Sequence, residues 1–333
     1  MKICVVGAGA IGGYLAGRLA GSGEQVSVVI RGANLAAVRA HGMKLINADG
    51  SEQVAQVAAS DRMAELGVQD VVILAMKAHQ LPAITGEVGA LIGPDTLVVT
   101  AQNGIPWWYF HKHGGPYEGT RIEAVDPGGV ISAALPVERT LGCIVSPAAE
   151  LAAPGGVRVI EGNRFPIGEI DGADTERVRT LATLFRNAGF KTPVLSEIRA
   201  EIWLKLWGNL SFNPISALTH ATLEDICRFP PTRALAADMM REAQAIGEKL
   251  GVPFKVSLDK RIAGAEAVGA HKTSMLQDVE GGRALELDAL VRSVIELGRV
   301  TDTPTPAIDH VYALAALLAQ TLAAQKGRLA IQH

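Results

Sequence analysis

The sequence predicts an α/β domain built on a parallel sheet, followed by an all-helical domain. Three observations carry that reading. Near the N-terminus, short runs that are apolar throughout alternate with amphipathic stretches, the pattern of a parallel sheet covered on both faces. A glycine turn, "GAGAIG", directly follows the first of those runs. From Glu197 to about Lys326 strand character stops, and Ala, Leu, Glu and Arg recur at helical spacing.

The elements follow in order. "KICVVG" reads as the first strand, the amphipathic stretch to about Gly21 as a helix, and "QVSVVI" as the second strand. "DVVILAM" (70–76) and "TLVVTAQ" (96–102) are further strands. Between 107 and 160 the pattern is less regular. There "GGPYEGT" and "VDPGG" read as turns, and "GVISAAL" and "LGCIVSPA" as strands. "PGGVRVIEGNRFPIGEI" reads as a hairpin, and "ADTERVRTLATLFRNAG" as a helix leading to "KTPVLS". The expected boundary is at Ser196, giving an α/β domain over 1–196 and a helical domain over 197–328.

The composition narrows the function class. The chain has 333 residues, 48% apolar and 20% charged, enough for two domains with real cores and incompatible with disorder. A net charge of −3, with scattered basic residues, argues against nucleic acid or a membrane surface as partner. Three cysteines, Cys4, Cys143 and Cys227, form no CxxC pair and suit a reducing compartment. "MKICVVGAGAIGG" is broken by glycines too early for a signal peptide, and no run is read as reaching membrane-spanning length. The expected location is the cytoplasm.

Gly7, Gly9 and Gly12 have the G-x-G-x-x-G spacing between a strand and a helix start. The first allows a tight turn, the second lets backbone approach a pyrophosphate, and the third lets helix and sheet pack closely. Gly7, Ala8, Gly9, Ala10, Ile11 and Gly12 are thus the expected turn of a Rossmann-type dinucleotide site. An NAD-preferring site carries Asp or Glu at the end of the second strand. Here Arg31 stands there instead, suited to a 2′-phosphate, and Lys77 follows another strand. NADP (as NADPH) is the expected cofactor.

In "EIWLKLWGNLSFNP", Lys205, Asn209 and Asn213 are four residues apart and share one helix face with Glu201, while Trp203 and Trp207 lie on another. Pro214 is expected to kink or end that helix. The stripe reads as a cleft wall that holds a lysine beside a carbonyl substrate. "TAQNGIP" places Asn103 after a strand, and "KTSMLQDVEGGRALELDAL" offers Ser274, Gln277, Asp278 and Glu286.

Taken in order, "GAGAIG", "MKAHQ", "QNG", "EIWLKLWGNLSFNP" and "TSMLQD…ELD" resemble the ketopantoate reductases (2-dehydropantoate 2-reductases). The resemblance covers most of the chain. It implies a 6-phosphogluconate-dehydrogenase-like architecture, an N-terminal Rossmann domain plus an all-α C-terminal domain. The implied reaction is NADPH-dependent reduction of a small-molecule 2-oxo acid, ketopantoate to (R)-pantoate, in pantothenate and coenzyme A synthesis. The implied catalytic pair is Lys205, the proton donor, with Glu286. Asn103, Asn209, Asn213 and Ser274 would bind substrate, and Arg31, Lys77, Gln80, Asn103 and Glu286 would contact the cofactor. A homodimer is the expected assembly, with no metal. The loop "PWWYFHKHGGPYEGTRIEAVDPGG", longer than the family pattern, carries Trp107 and Trp108, and at least one of them is expected to line or cover the substrate cleft, ordinary core packing being the alternative. Gly281-Gly282 interrupts the run between Ser274 and Glu286.

Competing readings are a reductase of a bulkier 2-oxo acid, an opine-type or β-hydroxyacid dehydrogenase, and a non-catalytic NADP sensor. The complete lysine set argues against the sensor. A metal-dependent hydrolase has the least support, on the reading that the eight histidines offer neither an HxH nor an HExxH spacing.

Overall fold

The structure is a computed structural model that describes residues 1–327. The expected end of the helical domain, residue 328, lies outside the described residues. The chain divides into two compact units, one of Met1–Arg121 with Asp126–Ile198, the other of Ile122–Val125 with the chain from Arg199 onward.

The first unit is α/β. Its elements begin with β1 (Lys2–Val6), α1 (Ala10–Gly21), β2 (Gln25–Val29), α2 (Gly32–His41), β3 (Met43–Ile46), β4 (Glu52–Ala55) and β5 (Ala58–Ser60). They continue with β6 (Gln69–Leu74), β7 (Ile92–Thr100), α3 (Val130–Ala134), β8 (Thr140–Cys143), β9 (Ala148–Ala153), β10 (Gly156–Glu161), β11 (Ile167–Glu169) and α4 (Glu176–Asn187). The main sheet runs β11-β8-β7-β6-β1-β2-β5, and every pairing is parallel except β11 with β8. Strand order therefore reverses between β1 and β6, where ligands bind in doubly wound sheets.

A second sheet, β4-β3-β10-β9, lies against α1. The helix face that meets it is glycine-lined. A Cβ on Gly13 would sit 2.7 Å from Val157, and one on Gly17 would sit 2.7 Å from Leu45. Gly13 and Gly17 are thus explained by packing.

Two expectations for this region need correction. "GVISAAL" contains a helix, α3, because the Asp126 carboxylate accepts from the backbone N–H groups of Ile131 (2.8 Å) and Ser132 (3.3 Å). That carboxylate cap outweighs the β propensity of Val130 and Ile131. "PGGVRVIEGNRFPIGEI" is not one hairpin, since β10 pairs with β9 in the small sheet while β11 pairs with β8 in the main one.

The second unit is helical: α5 (Ile198–Thr219, which begins at the unit boundary), α6 (Leu223–Arg228), α7 (Pro230–Lys249), α8 (Leu258–Ala267), α9 (Ser274–Glu280), α10 (Ser293–Val300) and α11 (Pro306–Ala324). Pro214 does not end α5, which continues to Thr219. Trp203 and Trp207 are fully buried, set against Phe254, and the Trp207 indole N–H donates to the Met240 carbonyl at 2.6 Å. Residues Ile122–Val125 belong to this unit, where the Glu296 carboxylate accepts from the backbone N–H groups of Glu123 (2.7 Å) and Ala124 (2.9 Å). A boundary at Ser196 alone misses that excursion.

A further correction concerns α11. Its 19 residues include an 18-residue stretch of mean hydropathy 1.4, long and apolar enough to cross a membrane by length and composition. Ile308, Val311, Ala315 and Leu322 nonetheless form a face buried in the unit, and the Glu242 carboxylate caps the helix through the Ala307 and Ile308 N–H groups at 2.8 and 3.0 Å.

Candidate active site

In the first unit, the glycine turn follows β1 at the point of strand-order reversal. Gly7 has φ +90°, and a Cβ there would lie 2.7–2.8 Å from Met76, backbone included. A Cβ on Gly12 would collide with the Gly7 carbonyl oxygen. At Gly9 a Cβ would meet nothing within 4 Å, and no side chain caps α1. Bare backbone facing open space at a helix N-terminus suits a diphosphate, so the turn fits a dinucleotide.

The other first-unit candidates stand at the same end of the sheet. Arg31, exposed, is the N-cap of α2 just past β2. Lys77, half-buried, follows β6, and its backbone N–H donates to the Gln80 side chain at 3.2 Å, so Gln80 is engaged in holding this turn. Asn103 follows β7, next to Gly104 at φ +90°. The neighbouring Gln102 amide donates to the Met76 carbonyl at 3.1 Å, tying the ends of β6 and β7 together.

In the second unit, Glu201, Lys205 and Asn209 are half-buried on one face of α5, and Asn213 is buried a turn further on. The Asn213 amide reaches the Ser274 hydroxyl at 3.5 Å, across 61 residues of sequence. Ser274 is the first residue of α9, whose N-cap Thr273 accepts from the Leu276 N–H at 3.2 Å. Gln277 donates to the Lys272 carbonyl at 3.2 Å, and Asp278 pairs with Arg283 at 2.9 Å. Helix α9 ends at Glu280 and Gly282 has φ +61°, so Ser274 and Glu286 do not share a helix face. Glu286 is half-buried just before a single π turn, Asp288–Arg292, that leads into α10. Such π turns recur at functional sites.

The tryptophan loop is packed more deeply than the sequence suggests. Trp108 is 2% exposed and its indole N–H donates to the Thr100 hydroxyl at 3.0 Å, which makes it a core residue of the first unit. Trp107 is 7% exposed, and among the described residues its indole nitrogen has no hydrogen-bond partner. The reading of no H-x-H spacing needs correction, since His111 and His113 form one; His111 Nε2 lies 3.2 Å from Glu138. Among the described residues no group of three or more His, Cys, Asp or Glu side chains could hold a metal ion.

A cavity of about 610 Å³ lies at the opposite end of the main sheet, lined by Gln69, Asp70, Pro94, Leu97, Arg177 and Leu181 among others. None of the expected site residues lines it.

Comparison with known proteins bears on the family and the fold. Residues 3–108 match the family model for ketopantoate reductase PanE/ApbA, and residues 197–319 match its C-terminal model. A 2-dehydropantoate 2-reductase of Mesorhizobium japonicum is 56% identical over 320 residues, 96% of this chain and 98% of the relative. A crystal structure assigned as a ketopantoate reductase, from Ralstonia solanacearum MolK2, superposes with a TM-score of 0.92 at 44% identity, covering 96% of this chain and 98% of the other. D-mandelate dehydrogenase, solved with NADH and anilino(oxo)acetate, has the same fold, with a TM-score of 0.83 at 21% identity over 97% and 99% of the two chains. The chain belongs to the ketopantoate reductase family.

Proposed function

We propose that the chain reduces the ketone of ketopantoate to (R)-pantoate with NADPH. The contact that carries most weight is Asn213 to Ser274, which ties the start of α9 to α5, the helix that bears Lys205. The bound nicotinamide supplies the hydride. The Gly7–Gly12 turn holds the cofactor's diphosphate through backbone N–H groups, and Arg31 receives the 2′-phosphate. Lys77, Gln80 and Asn103 hold the cofactor further along the strand ends.

Lys205 polarises the ketone oxygen as charge develops on it and then delivers a proton. Glu286 keeps that ammonium charged. Asn209, Asn213, Ser274 and Asn103 fix the substrate's carboxylate and hydroxyl groups by hydrogen bonds. We also propose a homodimer, supported by Leu314 and Leu317, 58% and 61% exposed on α11; light scattering would test it.

The deciding experiment follows NADPH and NADH oxidation with ketopantoate and with phenylglyoxylate, a bulkier 2-oxo acid. The highest kcat/KM is expected for ketopantoate with NADPH. A higher value for phenylglyoxylate would assign the chain to the bulkier substrate class.

A further inference from the structure

Helix α5 carries a glycine, Gly208, between Trp207 and Asn209. A Cβ there would collide with the guanidinium of Arg261 on α8, whose Cζ lies 2.9 Å from the Cβ position. The guanidinium thus rests directly on the helix backbone. Gly208 is one turn from Lys205 and about 60° around the helix from it, so the guanidinium meets α5 beside the position that bears Lys205.

Arg261 is partly buried, and among the described residues its guanidinium makes no ion pair and no hydrogen bond. Burial holds its pKa below the ordinary arginine value. The acid nearest by sequence, Glu266, is already engaged by Arg228 at 3.4 Å and Arg233 at 3.3 Å. The ionisable neighbour facing Arg261 is Cys227, whose thiol is pushed up by burial and is therefore neutral. A desolvated cation without a counter-ion is unfavourable unless an anion arrives to pair with it. The planar guanidinium fork matches a carboxylate bidentately.

We propose that Arg261 is a substrate-specificity residue that pairs with the carboxylate of the 2-oxo acid, while Gly208 keeps the helix face open for it. In a 2-oxo acid one bond separates the carboxylate carbon from the ketone carbon. The group that holds the first must stand beside the acid that serves the second, and the Arg261 guanidinium rests on α5 at Gly208, one turn from Lys205. This rests on the reductase reading above and identifies the feature by which the site selects acids over neutral ketones. Replacing Gly208 by any larger residue would push the guanidinium away.

The test is calorimetric binding, with NADP present, of pantoate, of oxamate (a minimal carboxylate analogue) and of pantoyl lactone, the neutral form of the same skeleton. Wild type, Arg261→Met, Arg261→Lys and Gly208→Ala are compared, each with a melting curve. Arg261→Met should weaken pantoate and oxamate by ~10–100-fold, the usual worth of a hydrogen bond to a charged group, and leave the lactone within a few-fold. Arg261→Lys should recover part of that loss, and Gly208→Ala should fall between. Arg261→Met that melts normally and binds pantoate and oxamate within threefold of wild type overturns the proposal. A wild type that binds oxamate through Arg261 but does not turn over ketopantoate would uphold it and overturn the substrate assignment instead.

Discussion

Lys205→Ala is the sharpest test of the proposed chemistry. Lys205 lies in the interior of the 22-residue helix α5 and is half-buried, so truncation opens no closed cavity. Alanine is the best helix former, which makes the backbone cost negligible. The helix is anchored by other residues, Trp203 and Trp207, both essentially unexposed. Stability should therefore hold while the acid is lost. One positioned general acid contributes ~10²–10⁴-fold in rate, equivalent to about 2.7–5.5 kcal/mol of transition-state stabilisation. The assay is steady-state NADPH oxidation with ketopantoate, with cofactor binding measured by fluorescence and a melting curve recorded on the same preparation. kcat should drop by that factor while the NADPH dissociation constant stays within about twofold. Lys205→Arg should recover only a small part, because a guanidinium is a much weaker acid than an ammonium. A Lys205→Ala protein with normal melting and kcat within a few-fold of wild type would remove the lysine from the mechanism.

Arg31→Ala should narrow the preference for NADPH over NADH mainly through KM for the cofactor. An unchanged ratio would show that the exposed N-cap of α2 does not read the 2′-phosphate. Trp108→Ala should cost about 3–5 kcal/mol in urea unfolding, as large-to-small changes in a core do, with the Thr100 hydroxyl also losing its donor. A cost below about 1 kcal/mol would contradict its placement. Trp107→Phe removes a buried N–H without a partner but also shrinks the indole to a phenyl ring. Relief of the unpaired donor should offset part of the packing loss and leave a smaller fall in melting temperature than Trp108→Phe, which also loses its bond to Thr100; an equal or larger fall would contradict this. Burial pushes the Cys4 thiol up to about 11, so at pH 8 iodoacetamide should leave Cys4 unmodified in the folded protein and alkylate it in urea, read by peptide mass spectrometry.

The parallel sheet and the glycine turn were legible because a strand buried on both faces is a continuous apolar run, and the turn's glycines answer local steric demands. The stripe on α5 was legible for the same reason, since helical spacing alone places Lys205 and Asn209 together. Long-range pairing was less accessible. Nothing in the residues of β10 and β11 tells that they serve different sheets, because partner choice depends on β3 and β8, far away in sequence. The helix at Val130–Ala134 turned on one carboxylate, Asp126, acting across the glycines between them. Arg261 was missed because its own segment has no unusual spacing. The available signal was Gly208, a helix-weakening residue in a tryptophan-rich helix interior, which asks what lies against it.

The short excursion of Ile122–Val125 has a consequence for how the chain is made. Those four residues leave the ribosome long before Glu296, whose carboxylate holds two of their N–H groups. During synthesis the α/β unit can close its sheet while this segment still lacks its acceptor. The helical unit, in turn, is not a contiguous gene fragment. A clone starting at Arg199 would express Glu296 with both oxygens facing a gap. A separately expressed helical fragment should therefore be less stable than the same unit in the whole chain, and a synthetic peptide spanning 120–127 should restore part of the difference.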